Sequence, residues 1–316
     1  MLGLVGFFAV VRVVSAQLLR QKLSPNWLQD LVTISISIVI EALPFVLLGI
    51  GIAVLIRVWL PTDVIFAHLP RQPILRRACI SLCGVFLPVC ECGNIPVART
   101  LLAKGLTPSD SLVFLLAAPI LNPITILTTQ QAFANDPTIV VARVVGGFVI
   151  ANMIGWMYAS HSEKQLLRTE FIAECHRDHT HTVNKYTTSL SFVKQEITTM
   201  IPALLFGAVC AGVIQTVVPR SILLSLGSGP VWSVVAMVVL AFVVSICSNV
   251  DAFFALAFRN TFMAGSLASF LIFGPMIDIK MLSLMRTTYR ATILWQISVC
   301  VALMSIVLGL VVNYAF

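Results

Sequence analysis

Long apolar runs, interrupted by short polar patches that contain proline, set the strongest limits on how this chain can fold. The two clearest interruptions lie at the beginning and the end of the stretch from Pro88 to Pro123. The first patch carries Cys90-Glu91-Cys92, and the second, from Pro119 to Pro123, encloses Asn122. Proline removes a backbone donor and clashes with the preceding helical turn, so we expect each patch to interrupt a helix.

Charged residues make up only 10% of the chain, whereas soluble domains carry roughly 25%. This shortage excludes a soluble globular fold. At about 20 residues a span, the chain has room for about eight to ten membrane crossings. We therefore predict an all-α integral membrane protein of about eight to ten transmembrane helices, with broken or re-entrant helices at the polar patches. The net charge of +7 fits loop lysines and arginines that meet anionic lipid, and it requires no nucleic-acid partner.

Changes in hydropathy divide the chain into four predicted parts. Residues 1–29 form an N-terminal span or interfacial helix with a polar link. A signal peptide is the alternative there, but Arg12 interrupts its apolar core. Residues 30–160 form a first membrane repeat, residues 161–195 a hydrophilic loop that contains histidines, and residues 196–316 a second membrane repeat.

The two membrane parts resemble each other in sequence. Glu41–Pro61 can be laid over Thr199–Pro219 without a gap, and prolines and glycines coincide. Small deletions then place three polar positions of the first half on counterparts in the second: Cys90 on Cys247, Cys92 on Asn249, and Asn122 on Asp278. Duplicated halves with helices broken at matching places are typical of secondary transporters, whose sites lie near the bilayer midplane. The distribution of loop cations is too even to decide whether the halves are inverted.

The Cys90-Glu91-Cys92 patch is the first candidate site. Two thiolates one residue apart can hold a soft metal ion or a trivalent metalloid. The alternative is a pair of small packing residues at a turn, with Glu91 directed to water. The other cysteines in apolar runs, Cys247 among them, are interpreted as small hydrophobic residues, because free cysteine usually behaves so.

Polar and acidic residues within the apolar runs extend this candidate site. An acidic group at membrane depth is costly enough to indicate function. The proposed substrate-binding set is Cys90, Glu91, Cys92, Asn94, Asn122, Asn249, Asp251 and Asp278. Glu41, three residues before Pro44, is a candidate proton relay or coupling residue. For Asp110 we prefer helix capping, because Thr107 and Pro108 precede it.

The hydrophilic loop offers a second set of possible metal ligands: Cys175, His176, His179 and His181. Clustered Cys and His side chains can bind Zn²⁺ or copper. A solvated loop with incidental histidines is the alternative. No resident cofactor is predicted, so a soft metal or metalloid would enter as substrate.

The motifs PVCECGNIPVARTLLAKG from Pro88 and LLAAPILNPIT from Leu115, together with EALPF from Glu41, resemble those of the YraQ-type predicted permeases. That family includes the organoarsenical efflux permease ArsP. The resemblance implies a multi-pass permease of the bacterial inner membrane, and Cys90, Cys92 and Asn122 match motif positions. It also suggests that thiols capture a trivalent metalloid.

These observations favour a secondary permease that exports a soft metal, metalloid or other small thiophilic solute, and not an enzyme. The alternatives are an intramembrane enzyme that depends on thiols or metal, and a non-transporting subunit of a membrane complex. Expected partners are the lipid bilayer and the solute, with a second copy of the chain or a soluble metal-handling protein as further possibilities. The sequence contains no nucleotide-binding Gly-rich loop, so direct drive by ATP would need another subunit.

Overall fold

The computed structural model describes residues 27–61, 69–86, 89–134, 136–177, 185–217 and 229–315. The regular secondary structure of these residues is helical, and β-pairing among them is limited to one isolated bridge between Leu167 and Tyr289. The N-terminal segment predicted as a span or interfacial helix lies almost entirely outside the described residues.

Six helices make up the first half of the chain. The first helix ends in a π-helical turn, Leu55–Trp59, and the second in a 3₁₀ turn, Cys83–Val85. The helices are α1 Trp27–Val54, α2 Pro73–Leu82, α3 Glu91–Ala103, α4 Pro108–Ala117, α5 Pro123–Ala132 and α6 Pro137–Met157.

Two short helices follow, and then a second series of six. The short ones are α7 Glu163–Leu166 and α8 Thr169–Arg177. The second series is α9 Lys185–Val217, α10 Pro230–Val244, α11 Asp251–Leu256, α12 Ala264–Met276, α13 Ile279–Met285 and α14 Ala291–Ala315. In each half a long helix comes first and another comes last, with four shorter helices between them, as a duplication requires. The duplication itself, and the division at residues 29, 160 and 195, stay predictions.

Within the described residues, five helical segments are long and apolar enough to cross a membrane: Trp27–Trp59, Pro137–Met157, Lys185–Thr216, Ala264–Met285 and Ala291–Ala315. Two shorter apolar helices are Pro108–Ala117 and Pro230–Val244. The prediction of an all-α multi-pass membrane protein is confirmed. The shorter helices arise where polar patches stop an apolar run before it can complete a span.

The helix starts follow local chemistry. Thr107 caps α4 by accepting a hydrogen bond from the backbone N–H of Asp110, and Pro108 occupies the first turn. Asn122 and Asp278 cap α5 and α13 through their side-chain oxygens. Each cap satisfies a backbone donor that the helix leaves unpaired, so the predicted interruptions become defined helix starts inside the protein.

Packing brings the broken helices of the two halves together. The long helices α1 and α9 lie against each other, α3 packs against α13, and α11 packs against α5. On its other side α3 approaches α1 backbone to backbone, because a Cβ at Gly49 would overlap the carbonyl oxygen of Gly93. The starts of α3 and α13 therefore meet in the interior. The close contact of α1 with the opposite side of α3 keeps α3 in this position.

Candidate functional site

A buried ion pair joins the starts of α3 and α13. Glu91 is the first residue of α3 and Lys280 the second of α13. The Glu91 Oε1 atom lies 2.9 Å from Lys280 Nζ, and both side chains are 2% exposed or less. Asp278 Oδ2 lies 3.7 Å from the same Nζ. Two carboxylates from two helix starts thus share one ammonium group.

The other carboxylate oxygen of Glu91 faces the non-helical segment before α11. Glu91 Oε2 accepts hydrogen bonds from the Ser248 hydroxyl at 3.1 Å and from the Ser248 N–H at 3.4 Å. The Cys247 thiol donates to the same oxygen at 3.8 Å. A single first-half carboxylate therefore contacts both interruptions of the second half.

Two thiols and this carboxylate form a compact set of possible ligands. One ligand atom each from Cys90, Glu91 and Cys247 lies within 4.8 Å of the others, and all three residues are buried. Cys90 is the N-cap residue of α3, and Cys247 follows the left-handed Ser245 that ends α10. Thiolate sulfur favours soft cations, and a carboxylate adds negative charge. The arrangement can therefore bind a thiophilic species between the halves.

A second buried ion pair lies where α11 meets the first half. The Arg143 guanidinium on α6 donates to both carboxylate oxygens of Asp251, at 2.9 and 2.6 Å, and to the Thr129 hydroxyl at 2.7 Å. Such two-point geometry is among the strongest polar contacts in proteins. Arg143 is therefore fully buried and is held in the interior by Asp251.

The predicted asparagines connect neighbouring interruptions. Besides capping α5, Asn122 donates from Nδ2 to the carbonyl oxygen of Val89 at 3.2 Å. Asn249 accepts from the Thr125 hydroxyl at 3.3 Å. Asn122 thereby fixes the backbone next to Cys90, and Asn249 links α5 to the segment before α11. Both contacts orient the ligand set.

Asn94 stands apart from these asparagines in its bonding. Its side chain is fully buried on α3, yet neither Nδ2 nor Oδ1 has a hydrogen-bond partner in the part of the chain that the structure describes. Leaving such a group unpaired is costly, so a retained one calls for an explanation. A bound solute would supply partners. Cys92 is also buried on α3, and its thiol lies within hydrogen-bonding reach of the Cys90 thiol, although it does not belong to the compact set formed by Cys90, Glu91 and Cys247.

Two other acidic residues lie away from this centre. Glu41 is exposed in the middle of α1 and makes no hydrogen bond or ion pair with the described residues. Asp110 does not cap α4 through its side chain, because Thr107 does so. Its buried carboxylate pairs instead with Arg76 at 2.7 Å and Arg77 at 3.4 Å, which fastens α4 to α2.

Arg99 is buried on α3 and pairs with acids outside the Glu91 cluster. Its Nη2 lies 2.9 Å from Glu174 of α8 and its Nε 3.2 Å from Glu196 of α9. Nη1 donates to the Thr288 hydroxyl at 3.2 Å. Arg99 follows Glu91 along α3 by about 12 Å at the helical rise. This second network therefore ties α8 to both halves at one end of α3.

The ligands proposed in the hydrophilic loop are only partly described. His179, His181 and the side chain of His176 lie outside the described residues. Cys175 lies partly buried on α8, and burial raises the pKa of its thiol to about 11, helped by the negative charge of Glu174. A metal needs the deprotonated thiolate, so this environment disfavours metal binding near neutral pH. Metal binding by Cys175 and these histidines stays a prediction.

Three residues of the centre were not selected from the sequence. Lys280 is absent from the predicted set, although the rule that marks Asp278, an ionisable group at membrane depth, applies equally to it. Ser248 carries no distinguishing pattern. The sequence interpretation of Cys247 as a small hydrophobic residue misses its place here, although the alignment of Cys247 with Cys90 points to the site.

A family model described as a predicted permease, ArsP_1, matches residues 27–314. The "Putative two-component membrane permease complex subunit" of Streptococcus mutans is 32% identical over 292 residues, which cover 92% of this chain and 97% of that protein. The UPF0718 protein YcgR of Bacillus subtilis is 38% identical over 261 residues, which cover 82% of this chain and 88% of that protein. No solved structure matches.

Proposed function

Because the chain belongs to the predicted permease family ArsP_1, whose model matches residues 27–314, we propose that it carries a small thiophilic solute across the membrane. A soft metal ion and a trivalent metalloid are the solutes of this class that fit. The chain is a multi-pass membrane protein, and its permease relatives point to transport and not to catalysis. The proposal adds the substrate class, the site and the mechanism.

One observation carries the proposal: Cys90 and Glu91 of the first half and Cys247 of the second converge in the protein interior. A trivalent monosubstituted arsenical illustrates the chemistry. It forms two As–S bonds with the Cys90 and Cys247 thiols, and the two thiol protons leave with the arsenical oxygen as water. Because the sulfurs belong to different halves, a bound solute bridges them. Rocking of the halves would then expose the site to each side in turn.

The net negative charge of the site favours a solute that is neutral or cationic. Glu91 and Asp278 flank Lys280, so the ionised cluster carries more negative than positive charge. A free anion entering this space would meet two carboxylates. Asn94, with its unpaired donor and acceptor, can hydrogen-bond an oxygen or hydroxyl on the solute.

Phenylarsine oxide, which links two nearby thiols, tests the site directly. Cys79 and Cys83 are exposed one helical turn apart and could bind it themselves. Cys92 is a further competitor, because its thiol lies within hydrogen-bonding reach of the Cys90 thiol. The test therefore starts from a chain with Cys79, Cys83 and Cys92 replaced by alanine. We expect phenylarsine oxide to protect Cys90 and Cys247 together from alkylation. Either Cys90→Ser or Cys247→Ser should abolish protection of the remaining thiol, whereas Cys300→Ser should leave the protection intact.

Transport is then measured as export from cells or uptake into inverted vesicles. Cys90→Ser and Cys247→Ser should each reduce transport of a trivalent arsenical and of Cu⁺ at least ten-fold, with Cys300→Ser as the matched control. If both variants transport every thiophilic solute at the full rate, the thiol mechanism is wrong. That result would leave membership of the permease family untouched.

Coupling is proposed to involve Glu41, whose exposed carboxylate lies at mid-helix, three residues before Pro44. An acid at this depth is suited to carry a proton. In vesicles, Glu41→Gln should uncouple transport from an imposed pH gradient while phenylarsine oxide still binds. If the pH gradient drives the variant and the parent equally, the relay role is wrong.

A partner protein is a further proposal, motivated by the Streptococcus mutans relative named as a subunit of a two-component permease complex. We expect a second membrane or membrane-bound protein to copurify from the native host in mild detergent. Transport by the purified chain alone in vesicles would show that such a partner is dispensable.

A further inference from the structure

An apolar groove opens on the outer surface of the second half, away from the buried site. It has a volume of about 300 Å³ and lies between α9, α10, α13 and α14. Phe206, Cys210 and Ile214 form one wall, and Leu294 and Trp295 form the opposite wall. Gly207 lies at its base, where a Cβ would meet Ser283 and the backbone of Lys280. Absence of a side chain at Gly207 lets α9 approach α13 closely at this point.

A cation stands at one end of the groove. Arg286 lines it and is exposed. Its guanidinium group makes no ion pair or hydrogen bond with any residue that the structure describes, and neither does that of Arg290, four residues later. The other polar lining groups are satisfied, because the Ser283 hydroxyl donates to Ala203 and the Ser298 hydroxyl to Leu294.

The groove has a polar and an apolar end. Arg168, in the hydrophilic segment after α7, donates to the carbonyl oxygen of Arg286 at 3.2 Å, which places Arg286 beside the aqueous boundary. From Ala291 to Ser298 the lining runs deeper along α14, a length of about 10 Å at the helical rise. Trp295 is 69% exposed on this wall, as tryptophans at membrane interfaces commonly are.

We propose that this groove binds an anionic phospholipid, with an acyl chain between α9 and α14 and the phosphate on Arg286. Charge complementarity identifies the occupant. A zwitterionic lipid would fill the apolar part and also offer a phosphate, but its own cationic headgroup offsets that charge. A lipid with net negative charge therefore satisfies the guanidinium better. Arg290 lies near enough in sequence to add to the same positive potential.

A second groove on the same molecule provides an internal comparison. It has a volume of about 440 Å³ and lies between α6 and α14, lined by Val141, Val145, Gly146, Leu308 and Val312 among others. Among the residues that the structure describes, no charged one lines it. Ordinary neutral lipid suffices there, so the two grooves should differ in their preference for headgroup charge.

Lipid in the first groove would also touch the transport machinery. Ile279 and Leu282 form part of its lining, and they belong to the helix whose start carries Asp278 and Lys280. Occupation of the groove therefore supports α13 from outside the protein, on the side away from Glu91.

Quenching of tryptophan fluorescence by brominated lipid tests the proposal. The full chain is placed in phosphatidylcholine vesicles containing a small fraction of brominated phosphatidylglycerol or, separately, brominated phosphatidylcholine. The contribution of Trp295 is the difference between the parent chain and Trp295→Phe. We expect the brominated anionic lipid to quench it at about five-fold lower mole fraction, the preference given by one guanidinium near a phosphate.

Four variants separate charge recognition from general lipid contact. Arg286→Gln should abolish the preference and Arg286→Lys should retain it, whereas Arg259→Gln, at an exposed arginine outside the groove, should change nothing. A tryptophan placed by Val145→Trp in the Trp295→Phe chain reports the uncharged groove and should show no preference. Equal quenching of Trp295 by the two lipids, or a preference that survives Arg286→Gln, would overturn the proposal.

Discussion

The Glu91 carboxylate and the Lys280 ammonium lie 2.9 Å apart, and each belongs to a different half of the chain. Asp278 lies 3.7 Å from the same ammonium, so Lys280 compensates two acids at once. Because Lys280 compensates both acids, removing Lys280 should destabilise the protein more than removing one acid.

Removing Lys280 should be the most damaging change in this cluster. Lys280→Met leaves Glu91 and Asp278 buried without a cation, and we expect a loss of about 3–5 kcal/mol in the free energy of unfolding. Glu91→Gln should cost less, because Lys280 keeps Asp278. The double variant should recover part of the loss, since it buries fewer uncompensated charges. Unfolding in mixed micelles measures all three.

A surface pair supplies the control for that series. Arg168 and Glu170 form an exposed ion pair at 3.2 Å, and Arg168→Gln should change the free energy of unfolding by less than about 1 kcal/mol. If Lys280→Met costs no more than Arg168→Gln, the buried pair is not formed as described.

Asn94 should show a trade between stability and transport. Asn94→Leu replaces two unpaired buried polar atoms by an apolar side chain of similar size, so the free energy of unfolding should rise by about 1–3 kcal/mol. Transport should fall, because the solute loses its hydrogen-bonding group. Parallel unfolding and vesicle assays test this. A variant that is less stable but fully active would contradict the assigned role.

Two glycines on α1 offer a matched test of the α1–α3 contact. A Cβ at Gly49 would overlap the backbone of Gly93, whereas one at Gly51 would meet nothing. Gly49→Ala should therefore destabilise by about 1–3 kcal/mol or more. Gly51→Ala should be neutral or stabilise by about 0.5–1 kcal/mol, because alanine favours a helix over glycine. Equal effects would show that α1 and α3 are farther apart.

The thiol of Cys175 should react with an unusual pH dependence. Burial raises its pKa to about 11, against about 8.5 for an ordinary cysteine. The neutral thiol is thus favoured in the folded chain. The stability from this preference is complete below about pH 8.5 and is lost as pH rises toward 11. Alkylation rates of the Cys175 peptide, measured by mass spectrometry, should reach half their maximum near pH 11. A midpoint near 8.5 in the folded chain would contradict this.

Local chemistry made the interruptions predictable, but not their partners. The prolines and capping residues around Thr107, Asn122 and Asp278 mark helix starts that the structure contains, because capping depends on a few neighbouring residues. The matching of Asn122 with Asp278 also agrees with their identical capping role. Such signals need no knowledge of tertiary packing.

The pairs across the site could not be read in this way. Glu91 meets Lys280, and Arg143 meets Asp251, only because α3 packs on α13 and α11 lies beside α5. Spacing along the chain carries no trace of these contacts. Glu41 and Asp278 look equally suited to burial in the sequence, yet Glu41 is exposed and Asp278 is enclosed by the opposite half.

The buried ion pairs that join the two halves affect how the protein can be inserted into the membrane during synthesis. During synthesis Glu91 and Arg143 are made before their partners in the second half. Lys280, which pairs with Glu91, and Asp251, which pairs with Arg143, are added only later. At the usual rate of chain elongation, on the order of ten to forty seconds pass between the synthesis of Glu91 and that of Lys280. The first half must meanwhile stay near the insertion machinery or water, and it can settle fully in lipid only when the second half arrives.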